Sequence, residues 1–407
     1  MNRLRVGFLS AQDYFDRNVF SGTLFSMHRA LSGHADVQLV DLGKTVLDRS
    51  RPAMKRLAKK IRPSATQYLN RFAARAKRHM QRASCDVLFA PVASSEIFQI
   101  AEFPCPLVFA TDATPGLLQH FYRSYANDQD YRRAVEREEF VISKCSRAIY
   151  SSKWAAEAAM SEFGISNDKI SRVAFGANLD SIPPANMLTH DTADGTCRLL
   201  FVGKNWQRKG GQIAVDTVHA LNDEFDMPAH LTILGCKPPN VANSERIRII
   251  PYLNKNVASQ QDEIIRLLLN SHFFILPTRA DCSPIVMCEA NAYGLPVIST
   301  DVGGVPCIIR NGVNGMSLPL NSSGSKFAET ICSLFRNSDY TSLVESSRRE
   351  YDTRLNWGAW AEQVVSILKA EANGVRITER HSKSPSEVKG IENCDEEPSN
   401  CDRVRLG

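Results

Sequence analysis

The chain has 407 residues, 43% of them hydrophobic, and a formal net charge of +5. It is too apolar for a disordered chain, long enough for two cores of ordinary size, and lacks the roughly 18–20 unbroken apolar residues of a membrane span. Its 11 cysteines are odd in number and scattered, without a C-x-x-C pair, which argues against a disulfide framework or a zinc site and for free thiols in a reducing compartment. Cys85, Cys145, Cys236 and Cys288 lie inside apolar patterns. The opening MNRLRVGFLSAQ runs straight into a strand pattern with no signal-peptide core, so the expected location is cytoplasmic.

The positive charge is concentrated. Residues 44–84 hold 13 Lys and Arg against the single acid Asp48, an excess of +12, leaving −7 for the rest of the chain.

In chain order, LRVGFLS (4–10) predicts a buried strand, GTLFSMHRALSGH (22–34) a helix, and DVQLVDL (36–42) a second strand. The basic stretch reads as helical. Within it Leu69, Phe72, Ala76, Met80 and Ala83 recur at helical spacing, and Arg71, Arg75, Arg78 and Arg82 form a second stripe. Three readings fit that pattern: a solvated face over a core-packed stripe, a helix lying on an anionic membrane surface, or a nucleic-acid contact, the last without any RNA-binding motif. The expectation is a peripheral contact with an anionic membrane surface through residues 44–84, and no nucleic acid. Further strands are expected at 85–93, 106–113 and 147–152, a helix at 130–145, and another at 153–164 with Ser152 as N-cap.

The polar run LDSIPPANMLTHDTADGTC (179–197) interrupts the pattern, which then restarts: strands at 198–203, 230–235, 247–253, 272–278 and 295–300, helices at 211–225, 260–271 and 284–294. Short apolar runs alternating with helices predict parallel, doubly wound sheets. The expected fold class is therefore α/β, with two Rossmann-like halves facing a central cleft. The first spans 1–180 with the insertion 44–84, a linker covers 181–197, the second half 198–350, and a C-terminal helix 351–372. The polar tail 373–407 is expected to be disordered. Ligands of such folds sit at the carboxyl ends of the strands.

Two constellations lie at such ends. In FFILPTRADCSPIVMCEANAYGLPVISTDVGGVP (273–306) a strand ends near Thr278, Asp281 sits in the following loop and Glu289 lies inside the next helix. The unpaired amides of a helix N-terminus favour phosphate, and carboxylates beside it accept hydrogen bonds from hydroxyls. The plainer alternative is that Asp281 caps the helix and Glu289 is a core-edge acid. In VGKNWQRKGG (202–211), Lys204, Arg208 and Lys209 follow a strand ending at Gly203; by themselves they also suit a solvated loop. No G-K-[ST] is present, so this is not a P-loop.

Together these motifs, with NGVNG (311–315), resemble in order and spacing the nucleotide-sugar-binding domain of retaining glycosyltransferases of family 4, which have the GT-B fold. The first half resembles it more loosely, through NVFSGTLFSMHRAL, FATDATPGLL and AIYSSKWAAEAAMSEFGISNDKISRVAFGANLD. The resemblance implies transfer of a sugar from a nucleoside diphosphate to an acceptor hydroxyl with retention, without metal or other cofactor, in polysaccharide or glycolipid synthesis. Asp281 would meet the sugar hydroxyls and Glu289 the ribose. Lys204, Arg208 and Lys209 would hold the diphosphate, with the amides of Ser283, Ile285 and Val286, Pro284 having no N–H to offer. Gly22 and Thr23 would approach donor or acceptor, and Asp112 would stand beside the reacting sugar as acid, base or orienting group, or serve only as a turn residue. This chain departs from the family in Asp281, where Glu is usual, in Pro284 for Gly and in Lys204 for Arg. The D-x-D at 128–130 reads as a polar turn rather than a metal site. Other functional classes stay open: a nucleotide-sugar-binding scaffold without transfer, or an epimerase, which would want a His near 281–289 that the sequence lacks.

Overall fold

In the computed structural model the structure describes residues 3–10, 19–41, 78, 80, 84–100, 102–188, 190–254, 257–336 and 340–374. The basic segment falls outside these residues except for Arg78, Met80 and Ser84, and the tail except for Asn373 and Gly374.

The first half builds a six-stranded parallel sheet from β1 (Arg5–Ser10), β2 (Asp36–Asp41), β3 (Val87–Pro91), β4 (Leu107–Thr111), β5 (Arg147–Tyr150) and β6 (Ile170–Arg172). Its order is β2-β1-β3-β4-β5-β6, with Val6 opposite Val37 on one side and Val87 on the other. Strands β1, β3 and β4 are apolar almost without alternation because helices cover both faces of the sheet. The helices are α1 (Thr23–His34), α2 (Ser94–Ile97), α3 (Pro115–Tyr122), α4 (Asp128–Lys144) and α5 (Lys153–Phe163). Three of the starts obey local chemistry: Thr114 caps α3, Asn127 caps α4 and Ser152 caps α5, each accepting a backbone N–H three residues on.

The second sheet has the order β12-β11-β10-β7-β8-β9, from β7 (Cys197–Val202), β8 (Ala229–Leu234), β9 (Ile247–Ile250), β10 (Phe273–Leu276), β11 (Val297–Thr300) and β12 (Gly315–Leu318). With it come α6 (Gly211–Asp223), α7 (Ala258–Leu269), α8 (Ile285–Ala292), α9 (Val305–Ile308), α10 (Gly324–Arg336) and α11 (Tyr340–Thr353). Phe201, Phe273, Phe274, Tyr293 and Phe327 are fully enclosed in its core. The strand pattern thus restarts at Cys197, and residues 351–353 finish α11 instead of opening a last helix.

That last helix, α12 (Trp357–Ala372), packs against α1 and β3 of the first sheet. Trp360 is buried against Phe89, and the enclosed pair Arg147–Glu371 ties its end to β5 at 2.9 Å. The two passages of chain between sheets run side by side. Ala177 N–H donates to the Leu355 carbonyl (3.0 Å), and Phe175 stacks on Trp357. Asn178 joins them to the first helix: its amide donates to the Ser21 carbonyl (2.7 Å), while its oxygen accepts from Ser26 (2.7 Å) and the Trp357 indole (2.8 Å). The segment 181–197 is anchored too, since His190 sets one ring nitrogen 2.6 Å from the Ser271 carbonyl and the other 2.9 Å from that of Tyr293.

Candidate functional site

In each sheet the strand order reverses beside a central strand, and the loops leaving the carboxyl ends at that point form the natural ligand crevice. In the second sheet the reversal lies between β7 and β10. Their exits, 203–210 and 277–284, carry both constellations expected from sequence. The two loops are stitched together: Arg279 N–H donates to the Arg208 carbonyl (2.7 Å), and the Arg208 guanidinium to the Ala280 carbonyl (2.6 Å). Gly210 sits at φ 71° at the start of α6, where a Cβ would overlap the Pro277 carbonyl, so only glycine lets the loops close this far.

Lys209 and Asp281 meet here as an ion pair, with side chains 12% and 9% exposed. The acid and the cation expected on separate loops are therefore one unit, and the Lys209 stem lies against Gly203. Asp281 does not cap α8. The cap position is Pro284, and no side chain caps the helix. Lys204 is exposed, and Glu289 is buried on α8 at 9% exposure.

The candidate amide donors need one correction. Pro284, at φ −76° and ψ 74°, forms an inverse γ-turn in which the Ile285 N–H donates to the Ser283 carbonyl (2.8 Å). Ile285 is thus spent inside the turn, which leaves the amides of Ser283 and Val286. Behind the loop, Gly304 N–H donates to the Asp281 carbonyl (2.8 Å), and Gly303 at φ 60° lies so close to that oxygen that a Cβ would collide with it.

The first sheet faces this loop with groups that sequence reasoning missed. The Tyr122 hydroxyl, at the end of α3, accepts from Cys282 N–H (3.0 Å), and Arg208 lies over the Tyr122 ring, 4.9 Å from its centre. Ser283 Oγ donates to Ser151 Oγ at 2.6 Å. Asp112, just past β4, is half-buried; its enclosure first, and then the negative charge of Asp281, push its carboxyl up to about 6. A carboxyl tuned to that range can exchange a proton near neutral pH.

Gly22 (φ 81°) and Thr23 open α1 beside the reversal of the first sheet, preceded by Phe20 and Ser21 at φ 48° and 55°. Positive φ at two consecutive non-glycine residues stores strain, held in place by the Asn178 amide on Ser21. The Thr23 hydroxyl is buried with no hydrogen-bond partner among the described residues. Asp128 and Asp130 occupy the first turn of α4, where acids complement the helix dipole. Among the described residues no three His, Cys, Asp or Glu side chains converge as a metal cluster, and no helix is long and apolar enough to cross a membrane.

Residues 196–337 match the family model described as Glycosyl transferases group 1. A D-inositol 3-phosphate glycosyltransferase of Corynebacterium urealyticum is 21% identical over 283 residues, covering 63% of this chain and 65% of that protein, which is less than two thirds of its length. A phosphatidyl-myo-inositol mannosyltransferase of Mycobacterium leprae is 22% identical over 74% of this chain and 77% of the relative. Among solved structures, Anabaena HepE in complex with UDP and glucose superposes with a TM-score of 0.58 at 15% identity, covering 90% of this chain and 100% of that one. The two-sheet architecture is the GT-B fold.

Proposed function

We propose that this chain, whose residues 196–337 form a glycosyl transferases group 1 domain, transfers a sugar from a nucleoside-diphosphate donor to the hydroxyl of a glycan or glycolipid acceptor, with retention at the anomeric carbon. The observation that carries the reading is the joined pair of loops at the β7/β10 reversal. It sets the Lys209–Asp281 pair, Arg208 and the amides of Ser283 and Val286 opposite Asp112 and Tyr122. The likeness to a protein solved with UDP and glucose supports the donor class, and a relative named for phosphatidyl-myo-inositol supports a hydroxylated acceptor.

In this reading the diphosphate lies against Lys204, Lys209 and the two amides, and Glu289 receives the ribose. The bond from the anomeric carbon to the phosphate oxygen breaks, and the leaving group gathers negative charge that the nearby cations stabilise. The acceptor oxygen bonds to the same face of that carbon, and its proton passes to the leaving phosphate oxygen. Lys209 also holds Asp281 in place for the sugar hydroxyls. Arg208, bonded to Ala280 and stacked on Tyr122, braces the two sheets against each other more than it grips phosphate.

The test is a thermal-shift screen against UDP, GDP and ADP and their sugars, with Glu289→Ala and Lys209→Ala alongside. Stabilisation by one nucleotide, lost in both variants, is expected; at a ligand concentration 100 times the Kd it amounts to about 2.7 kcal/mol. A folded protein that no donor stabilises overturns the assignment. NMR of the product's anomeric proton then decides retention.

A further inference from the structure

The first sheet holds a second feature at its carboxyl edge: a cavity of about 160 Å³ where β3 and β4 end beneath α2, α3 and α4. Its polar lining is Ser94, Ser95, Thr111, Tyr125, Arg137 and Glu138. At roughly 30 Å³ per liquid water this is room for about five waters, the size of one hydroxylated six-membered ring. Thr111 and Ala113, which flank Asp112 in sequence, both line it, so the cavity lies at the same strand end as that acid.

The site is built rather than accidental. Glu138 is 4% exposed, and among the described residues its Oε1 has no hydrogen-bond partner. Behind the lining, the hydroxyl of Tyr150, itself fully buried at the end of β5, is likewise unpartnered among the described residues. Buried polar atoms are rarely left so. Burial first, and then the charge of Glu162, push the Glu138 carboxyl up to about 8, so at neutral pH it offers both an O–H donor and an acceptor. The surrounding hydroxyls have the same double character. Arg137, the cation of the lining, donates to Ser95 Oγ at 3.3 Å, and Glu162 is held by Thr114 (2.6 Å). An apolar occupant leaves Glu138 Oε1 unsatisfied, whereas a hydroxyl both donates to a carboxyl and accepts from it.

Resting on the reading above, we propose that this cavity receives the acceptor as a neutral, polyhydroxylated ring, with Glu138 as the residue that reads its hydroxyls. The acceptor's reacting oxygen then projects past Asp112 toward the donor.

The probes are myo-inositol and methyl α-glucoside, titrated by calorimetry into the full chain with and without UDP, and inorganic phosphate as the anionic competitor. Ala134→Leu fills the cavity from α4, Glu138→Met removes the polar group, and Glu138→Gln keeps its donor and acceptor. At least one polyol is expected to bind, weakened roughly tenfold or more by Ala134→Leu and Glu138→Met, the scale on which small pocket changes discriminate, and retained in Glu138→Gln. Melting curves and the UDP shift establish that each variant is folded. No polyol binding by a folded, UDP-binding protein overturns the pocket, as does binding that Ala134→Leu leaves untouched or phosphate binding tighter than either polyol. Polyol binding with no UDP response upholds the pocket and overturns the donor site instead.

Discussion

The two sheets are both six-stranded and parallel, and they differ in strand order and in how completely their polar groups are satisfied. Around the second sheet the cleft is closed upon itself: Lys209 with Asp281, Arg208 with Ala280, Gly304 with Asp281, Ser283 with Ile285. Around the first, the chain is strained at Phe20 and Ser21. Every unpartnered buried side-chain atom among the described residues belongs to that sheet's half or to the helix that returns to it: Thr23, Gln99, Glu138, Tyr150 and Trp360. On the proposed function, a surface for a constant group such as a diphosphate can be finished in advance, whereas one for a particular acceptor keeps polar atoms open for it, at a cost in stability.

Removing the central pair tests the finished side most severely. Lys209→Ala should lower transfer by about 10²–10³-fold, the loss typical of one preorganised electrostatic group, and leave Asp281 enclosed without its partner. Turnover within tenfold of the native chain would mean that the pair is structural. The next largest effect is on stability. Glu371→Ala strands Arg147, whose side chain is 3% exposed and otherwise bonded to the Asp168 carbonyl at 2.7 Å, and should cost about 3–5 kcal/mol in denaturant unfolding. Hydrogen exchange should then rise in α12 and β5 before it rises in β10 and β11. Uniform loss of protection would erase the contrast between the sheets.

Two acids sharpen the comparison by pH. The unfolded chain releases the Glu138 proton near the ordinary 4.5, while the folded protein keeps it to about 8, so this group makes stability fall as pH rises through that window and stay level above it. Glu138→Gln should therefore be more stable than the native protein at pH 8, by on the order of a few kcal/mol, with that gain gone at pH 4. A constant difference across the range would disprove the buried acid. Asp112 behaves with the same sign between 3.8 and about 6. Because it is half-buried, Asp112→Asn should gain only about 1 kcal/mol above pH 6, while any limb near that pH in the transfer profile should disappear.

The unequal completeness also explains what the sequence made legible. Lys209 and Asp281 are 72 positions apart, yet each follows a strand whose apolar run is plain, and β7 and β10 are neighbours, so reading the strand ends sufficed to place the two on one edge. The Ile285 amide was misjudged because a helix start suggests free donors, whereas proline's fixed φ turns the chain tightly enough to use that one. Tyr122, Asn178 and Cys282 gave no local signal. Their roles exist only once the two halves dock. Glu138 was hidden among the acids of VEREEF, since helical spacing alone does not say which of Glu136, Glu138 and Glu139 turns inward. The basic stretch 44–84 and its suggested membrane contact lie outside the described residues except for Arg78, Met80 and Ser84.

The return of α12 to the first sheet has a consequence for synthesis. Residues 197–353 complete the second sheet from contiguous chain, whereas β3 and β5 wait for Trp360 and Glu371, more than 200 positions downstream. On the ribosome the half translated first is thus the half finished last, and its apolar cover and the partner of Arg147 arrive only with the final helix. A nascent chain halted before Trp357 should present a folded second half tethered to an unfinished first one, a substrate for chaperones rather than a working domain.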